Sequence, residues 1–143
     1  MQWDVSYIEK RQIQIRGINI RGNEGVEGMM IEELYSQIGG DYEGVLRRFG
    51  SEERILKYIR LFTAGDDYND ILTSLECGDA EKGLLFAHNL KGVGLNLGLT
   101  GVWDVCAKMC ESLREGEACE KAMQLLPQLK KEIESIKELV EQL

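Results

Sequence analysis

The chain has 143 residues, 43% hydrophobic and 29% charged, a balance that excludes a disordered polymer and fits one globular domain with a core of its own. Its formal net charge of -8 argues against binding a nucleic-acid backbone, which needs clustered Lys and Arg, and points to a protein partner instead. No apolar run approaches the roughly 20 residues that span a bilayer, and MQWDVSYIEKR lacks the apolar core of a secretory signal, so no membrane contact and a cytoplasmic location are expected.

Residues 1–28 stand apart. QIQIRGINIR places Ile13, Ile15, Ile18 and Ile20 in a broken period of two, and RGNEGVEG follows with little that can pack, so an extended or poorly ordered N-terminal extension is expected before a helical domain over residues 29–143. From Ile31 the pattern is helical. IEELYSQIGG and DYEGVLRRFG each read as a short helix closed by glycine, and Ser51 followed by Glu52 and Glu53 reads as the cap and first turn of a long helix. Its apolar residues Ile55, Tyr58, Ile59, Phe62, Tyr68, Ile71, Leu72 and Leu75 recur at three or four, with AGDD between them as the place to bend or split. ECGD closes it.

Asp79 is placed to cap the next helix, and Thr100 the one after, with Val102, Trp103, Cys106, Met109, Cys110 and Leu113 on one side. EGE at 115–117 makes a turn. The last helix spaces Ala122, Leu126, Leu129, Ile133, Ile136, Val140 and Leu143 at four and three, and Pro127 within it either kinks the helix or marks its first turn. Four long helices with short turns and almost no strand signal predict an all-α protein: an antiparallel, up-down four-helix bundle with one or two short helices before it. The four cysteines Cys77, Cys106, Cys110 and Cys119 have no CxxC spacing and are expected as reduced, small core residues.

The only histidine, His88, lies in AHNLKGVGLNLG. At about 100° per residue, Ala87, Leu90, Val93, Gly94 and Leu97 form one apolar stripe, and His88 falls roughly 160° from its middle. It faces away from the core. Lys91 projects from the same outer surface, Gly92 leaves its flank bare, and Leu84 and Leu95 bracket the group as a docking patch. Gly94 and Gly98 read as close helix packing, whereas Gly92 on the outer face reads as room for a partner.

An exposed imidazole is largely neutral at pH 7 and offers a lone pair to electrophilic phosphorus without a dedicated base. Phosphoryl transfer needs in-line placement and positive charge near the equatorial oxygens, which Lys91 can supply. No P-loop and no HRD or DFG element is visible, so the phosphoryl group is expected from another protein rather than from ATP bound here.

Ala87-His88-x-Leu90-Lys91-Gly92-x-Gly94-x-x-Leu97-Gly98 resembles the signature of the histidine-containing phosphotransfer (HPt) domain of multistep two-component phosphorelays. RRFGSEERILKYIRLF, LECGD and CAKMCESLREGE resemble the helix before, the connecting turn and the helix after, so the likeness runs from about Ile31 to Leu143. It implies a carrier, not a kinase. His88 would accept phosphate from a receiver-domain aspartate and pass it to another, with Lys91 near the phosphoryl group, Gly92 leaving room for the receiver and Gly98 serving helix packing. The implied partners are response-regulator receivers and a hybrid sensor histidine kinase, the chain itself being a monomer. No cofactor is expected, since the family's Mg²⁺ sits on the receiver. The family usually has Ser or Ala near positions 93 and 94, where this chain has Val93 and Gly94.

Two rivals remain. A metal site on Cys106 and Cys110 lacks further ligands of obvious spacing, and an acid-base enzyme using His88 needs a pocket that an outward histidine on a bundle offers little of. The alternative reading is an adaptor of the same fold that grips a receiver or kinase and inhibits it without carrying phosphate.

Overall fold

The computed structural model describes residues 30–115 and 119–143; the N-terminal extension expected over 1–28 and most of the turn expected at 115–117 lie outside the described residues. Eight helices run through them: α1 (Ile31–Ile38), α2 (Tyr42–Phe49), α3 (Glu52–Ala64), α4 (Asp67–Glu76), α5 (Ala80–Asn96), α6 (Thr100–Arg114), α7 (Cys119–Met123) and α8 (Leu126–Val140). No strand occurs among them.

Local chemistry sets the boundaries. The Ser51 hydroxyl accepts from the Arg54 amide at 3.3 Å and starts α3, with Glu52 and Glu53 in its first turn. AGDD splits the long helix, because the chain leaves α3 at Gly65 in an extended conformation (ψ 170°) and re-enters at Asp67. The Asp79 carboxylate accepts from the Lys82 amide at 3.0 Å and starts α5. Pro127 lies in the first turn of α8, where its missing N–H would have no partner in any case, so it marks a start and kinks nothing. Ala122 therefore belongs to α7, not to the last helix.

The bundle closes as a ring in which α3 and α4 together form one rod, followed by α5, α6 and α8, which returns to α3. Neighbours are antiparallel. A Cβ built on Gly83, early in α5, would lie 3.6 Å from Leu113 late in α6, and one on Gly94, late in α5, would lie 3.0 Å from the Trp103 amide early in α6. The expected packing glycine Gly94 thus sits where two backbones approach closely. The core is built mainly of apolar side chains, with Tyr35, Leu34, Ile55, Ile59, Ile71, Leu90, Leu97, Met109 and Leu129 fully enclosed. Cys106 and Cys110 are buried in it, Cys119 is buried beside it, and Cys77 is exposed.

Two expectations for α6 are corrected. Thr100 is not its cap: the N-cap position is Leu99, which offers no side-chain acceptor, and Thr100 begins the helix. The Glu132 carboxylate of α8 lies beside that first turn, since a Cβ on Gly101 would collide with it. Glu132 is half-buried there. Trp103, expected on the apolar side, is 37% exposed, because Val102 and Cys106 already fill the core beneath that turn.

The short N-terminal helices hold the end of α5. Arg48 of α2 donates through Nε to the Asn96 carbonyl and through a terminal nitrogen to the Leu95 carbonyl, both at 3.1 Å. The buried Tyr35 hydroxyl of α1 donates to the Leu97 carbonyl at 2.5 Å, and the Asp41 amide donates to the Gly98 carbonyl at 3.2 Å. The carbonyls of Asn96, Leu97 and Gly98 at this helix end are thereby satisfied from α1 and α2, and that of Leu95, which also accepts from the Gly98 amide, gains a second donor. Gly98 itself turns the chain with φ +66°, and a Cβ there would lie 2.6 Å from Val45 and 2.9 Å from the Asp41 carbonyl oxygen, so only glycine fits.

Candidate functional site

Helix α5 buries Ala87, Leu90, Val93 and Gly94 and leaves His88 exposed, two turns from its N-terminus on the outer side of the bundle. Gly92 lies one turn further. A Cβ built there meets nothing within 4 Å, so the backbone is bare to solvent on that flank, and the buried Asn96 side chain donates to the Gly92 carbonyl at 2.8 Å from behind. This contrasts with Gly94 and Gly98, whose missing side chains make room for the protein itself.

His88 is not on a flat face. It lines a groove of about 670 Å³, open to solvent, with Asp79, Glu81, Lys82, Leu84 and Leu85 of the same helix region and Arg114 from the end of α6. The expectation of little concavity is corrected by this groove, which exists because α6 ends beside the start of α5 and its last residue overhangs the seam. Arg114 escaped the sequence reading for the same reason: it lies 26 positions from His88, and only the antiparallel register brings them to one groove. Basic residues in the last turn of the helix after the motif are the signal that could have found it.

Lys91 is half-buried on the α6 side of α5. Burial pushes the thiols of Cys106 and Cys110 up, while the Lys91 ammonium pulls both partway back and Arg114 does so for Cys110. Lys91 thus lies one turn beyond His88 toward the α5–α6 seam, and Arg114 lines the His88 groove from the end of α6. An imidazole in water near such cations suits capture of a dianionic phosphoryl group, whose oxygens need donors of fixed charge.

The docking patch differs in one member. Leu95 is 41% exposed as expected, but Leu84 is half-buried against the core and the neighbouring Leu85 is the outward leucine, 56% exposed. α5 is flanked by both α4 and α6, so its buried arc is wider than the apolar stripe alone and draws in Leu84. Leu84 still lines the groove that His88 lines. Among the described residues no three His, Cys, Asp or Glu side chains gather in a way that could hold a metal ion, and no helix is long and apolar enough to cross a membrane.

Fold and site together define a helical-bundle protein that presents its single histidine to solvent from the middle of one rod. Residues 61–139, more than half of the chain, match the Hpt domain family, and the chain belongs to that family. Members of it are phosphotransfer carriers of phosphorelays and not kinases. The search of curated proteins and the search of solved structures each returned no match.

Proposed function

We propose that this protein is a phosphorelay intermediate that takes a phosphoryl group from a receiver aspartate onto His88 and delivers it to the aspartate of a second receiver. The observation that carries this reading is the exposure of His88 in a groove that Lys82 and Arg114 also line, with Lys91 one turn further along α5 and Gly92 bare beside it. A ring nitrogen of His88 attacks phosphorus with its lone pair, the N–P bond forms as the P–O bond to the aspartyl carboxylate breaks, and the carboxylate leaves with the electron pair. Lys91 and Arg114 hold the equatorial oxygens, and the reverse sequence discharges the phosphohistidine onto the next carboxylate.

The partners on this reading are response-regulator receivers and a hybrid sensor histidine kinase, met in the cytoplasm by a monomeric carrier through Leu84, Leu85, Gly92 and Leu95. Mg²⁺ belongs to the receiver, and the carrier needs no cofactor of its own. The test is incubation with a phosphorylated receiver and Mg²⁺, comparing the natural chain with His88→Gln. Label that is acid-labile, alkali-stable and missing from the variant supports the relay; receiver binding with no label on either chain would leave an adaptor.

A further inference from the structure

A second recess opens along α5 beyond Gly92. It has a volume of about 190 Å³ and is walled on one side by Arg48 of α2 and by Asp41, whose carboxylate accepts from the Gly44 amide, and on the other by Thr100 and Trp103 of α6, with Leu95 at its rim and Gly94 and Gly98 in its floor. We propose that this recess receives an apolar side chain of the docking receiver, with a carbonyl or carboxylate beside it bonded to Arg48, and so decides which receivers His88 serves. The proposal rests on the relay reading above and adds to it the determinant of partner choice.

Position comes first. Leu95 follows His88 by seven residues, which places it roughly 10 Å along the helix and within about 20° of the same direction. A partner burying about 800 Å² per side covers a disc of roughly 16 Å radius, so a receiver centred on His88 reaches the recess. Its walls have the composition of an anchor site: Leu95 at 41% and Trp103 at 37% exposure are two of the few large apolar side chains left in water, next to an arginine.

The recess is also rigid before any partner arrives. The Trp103 backbone stands against Gly94, and Arg48 is fixed by its bonds to the Leu95 and Asn96 carbonyls, which leave further guanidinium N–H groups to donate. A site already formed costs less to occupy.

Finally, His88, Lys91, Gly92 and Arg114 all fall within residues 61–139 that match the family, whereas Arg48 and the whole of α2 fall outside. Groups that do the shared chemistry belong in the matched part. A wall contributed by the unmatched part is where one carrier can differ from another, and specificity is a difference between affinities for competing partners.

The chain has two tryptophans, so Trp3→Phe leaves Trp103 as the sole reporter in an otherwise unchanged chain. Acrylamide quenching of Trp103 is measured with and without saturating receiver, and transfer rates are measured for a panel of receiver domains phosphorylated with a small phosphodonor and Mg²⁺. Receiver is expected to shield Trp103. Thr100→Gln, which fills the recess from an exposed position at the start of α6, is expected to raise KM for the preferred receiver about tenfold with kcat little changed, the loss of one anchor contact, and to compress its advantage over the others. Trp103→Ala should do the same, and far-ultraviolet circular dichroism checks that both variants keep the fold. Undiminished quenching of Trp103 in the complex, or an unchanged ranking of receivers in Thr100→Gln while His88 is still phosphorylated, overturns this proposal and leaves the relay intact. Failure of every receiver to label the natural chain overturns both.

Discussion

The hydroxyl of Tyr35 donates to the carbonyl oxygen of Leu97 at 2.5 Å across 62 residues of chain, joining the first described helix to the end of the helix that bears His88. The phenol is buried, and its pKa is pushed up by that burial, so it remains a donor throughout the physiological range. Tyr35→Phe would strand a buried carbonyl, at a cost of about 1–3 kcal/mol. Urea unfolding should show that loss with an unchanged m-value. A change below a few tenths of a kcal/mol would mean that the carbonyl finds another donor.

Gly92 and Gly98 should respond in opposite directions to a side chain. Gly98→Ala must hold φ +66° against the Asp41 carbonyl and should destabilise by at least about 1–2 kcal/mol. Gly92→Gln meets only open space inside a helix and should leave stability unchanged or higher by up to about 1 kcal/mol, while slowing phosphorylation of His88 by obstructing the receiver. Thermal unfolding beside a transfer assay separates the two effects. A Gly92→Gln protein that transfers at the natural rate would remove this flank from the docking face.

Arg114 lines the His88 groove and Lys91 lies one turn beyond His88 on α5, and on the relay reading each offers charge-assisted hydrogen bonds worth about 1.5–3 kcal/mol to a bound anion. Lys91→Ala and Arg114→Ala should therefore each slow transfer by roughly ten- to a hundredfold, with circular dichroism unaltered. Rapid-quench rates from a phosphorylated receiver measure this. An Arg114→Ala rate equal to that of the natural chain would show that the groove wall plays no part in holding the phosphoryl group.

The four thiols should divide by burial. Cys77 is exposed and should react with a thiol reagent at once, whereas Cys106, Cys110 and Cys119 should react only as the fold opens. The shifted pair adds a pH dependence. Unfolded cysteines ionise near pH 8.5, whereas burial holds Cys106 and Cys110 protonated well above that in the fold. Their contribution to stability is whole at lower pH. Above about pH 8.5 the unfolded chain binds fewer protons than the native one, so stability falls as pH rises. Denaturation at pH 7 and pH 10 should show this fall, reduced in a Cys106→Ala, Cys110→Ala protein; an equal fall in that variant would assign it to other groups.

Much of the fold is legible in spacing alone. The caps at Ser51 and Asp79, the glycine stops after Ile38 and Phe49, and the apolar stripe of α5 all depend on residues within a few positions of one another, and each is found as expected. The exposure of His88 was readable for the same reason, since a helix of known period assigns its own faces. Where neighbouring rods intervene, spacing misleads: Leu84 is drawn inward, Trp103 is left outside, and the carboxylate beside the first turn of α6 belongs to Glu132 of another rod. None of those contacts has a signature within one helix.

The sequence by itself determined the helices, their order and the outward direction of the one histidine, because these follow from hydrogen bonds and side-chain period over a single turn. Only the tertiary structure decided that His88 shares a groove with Arg114, that α1 and α2 satisfy the last carbonyls of α5, and that Trp103 and Arg48 enclose a second recess. Those relationships join residues from about 26 to 62 positions apart, and the register between packed rods, set by side chains fitting across the seam, is what brings them together.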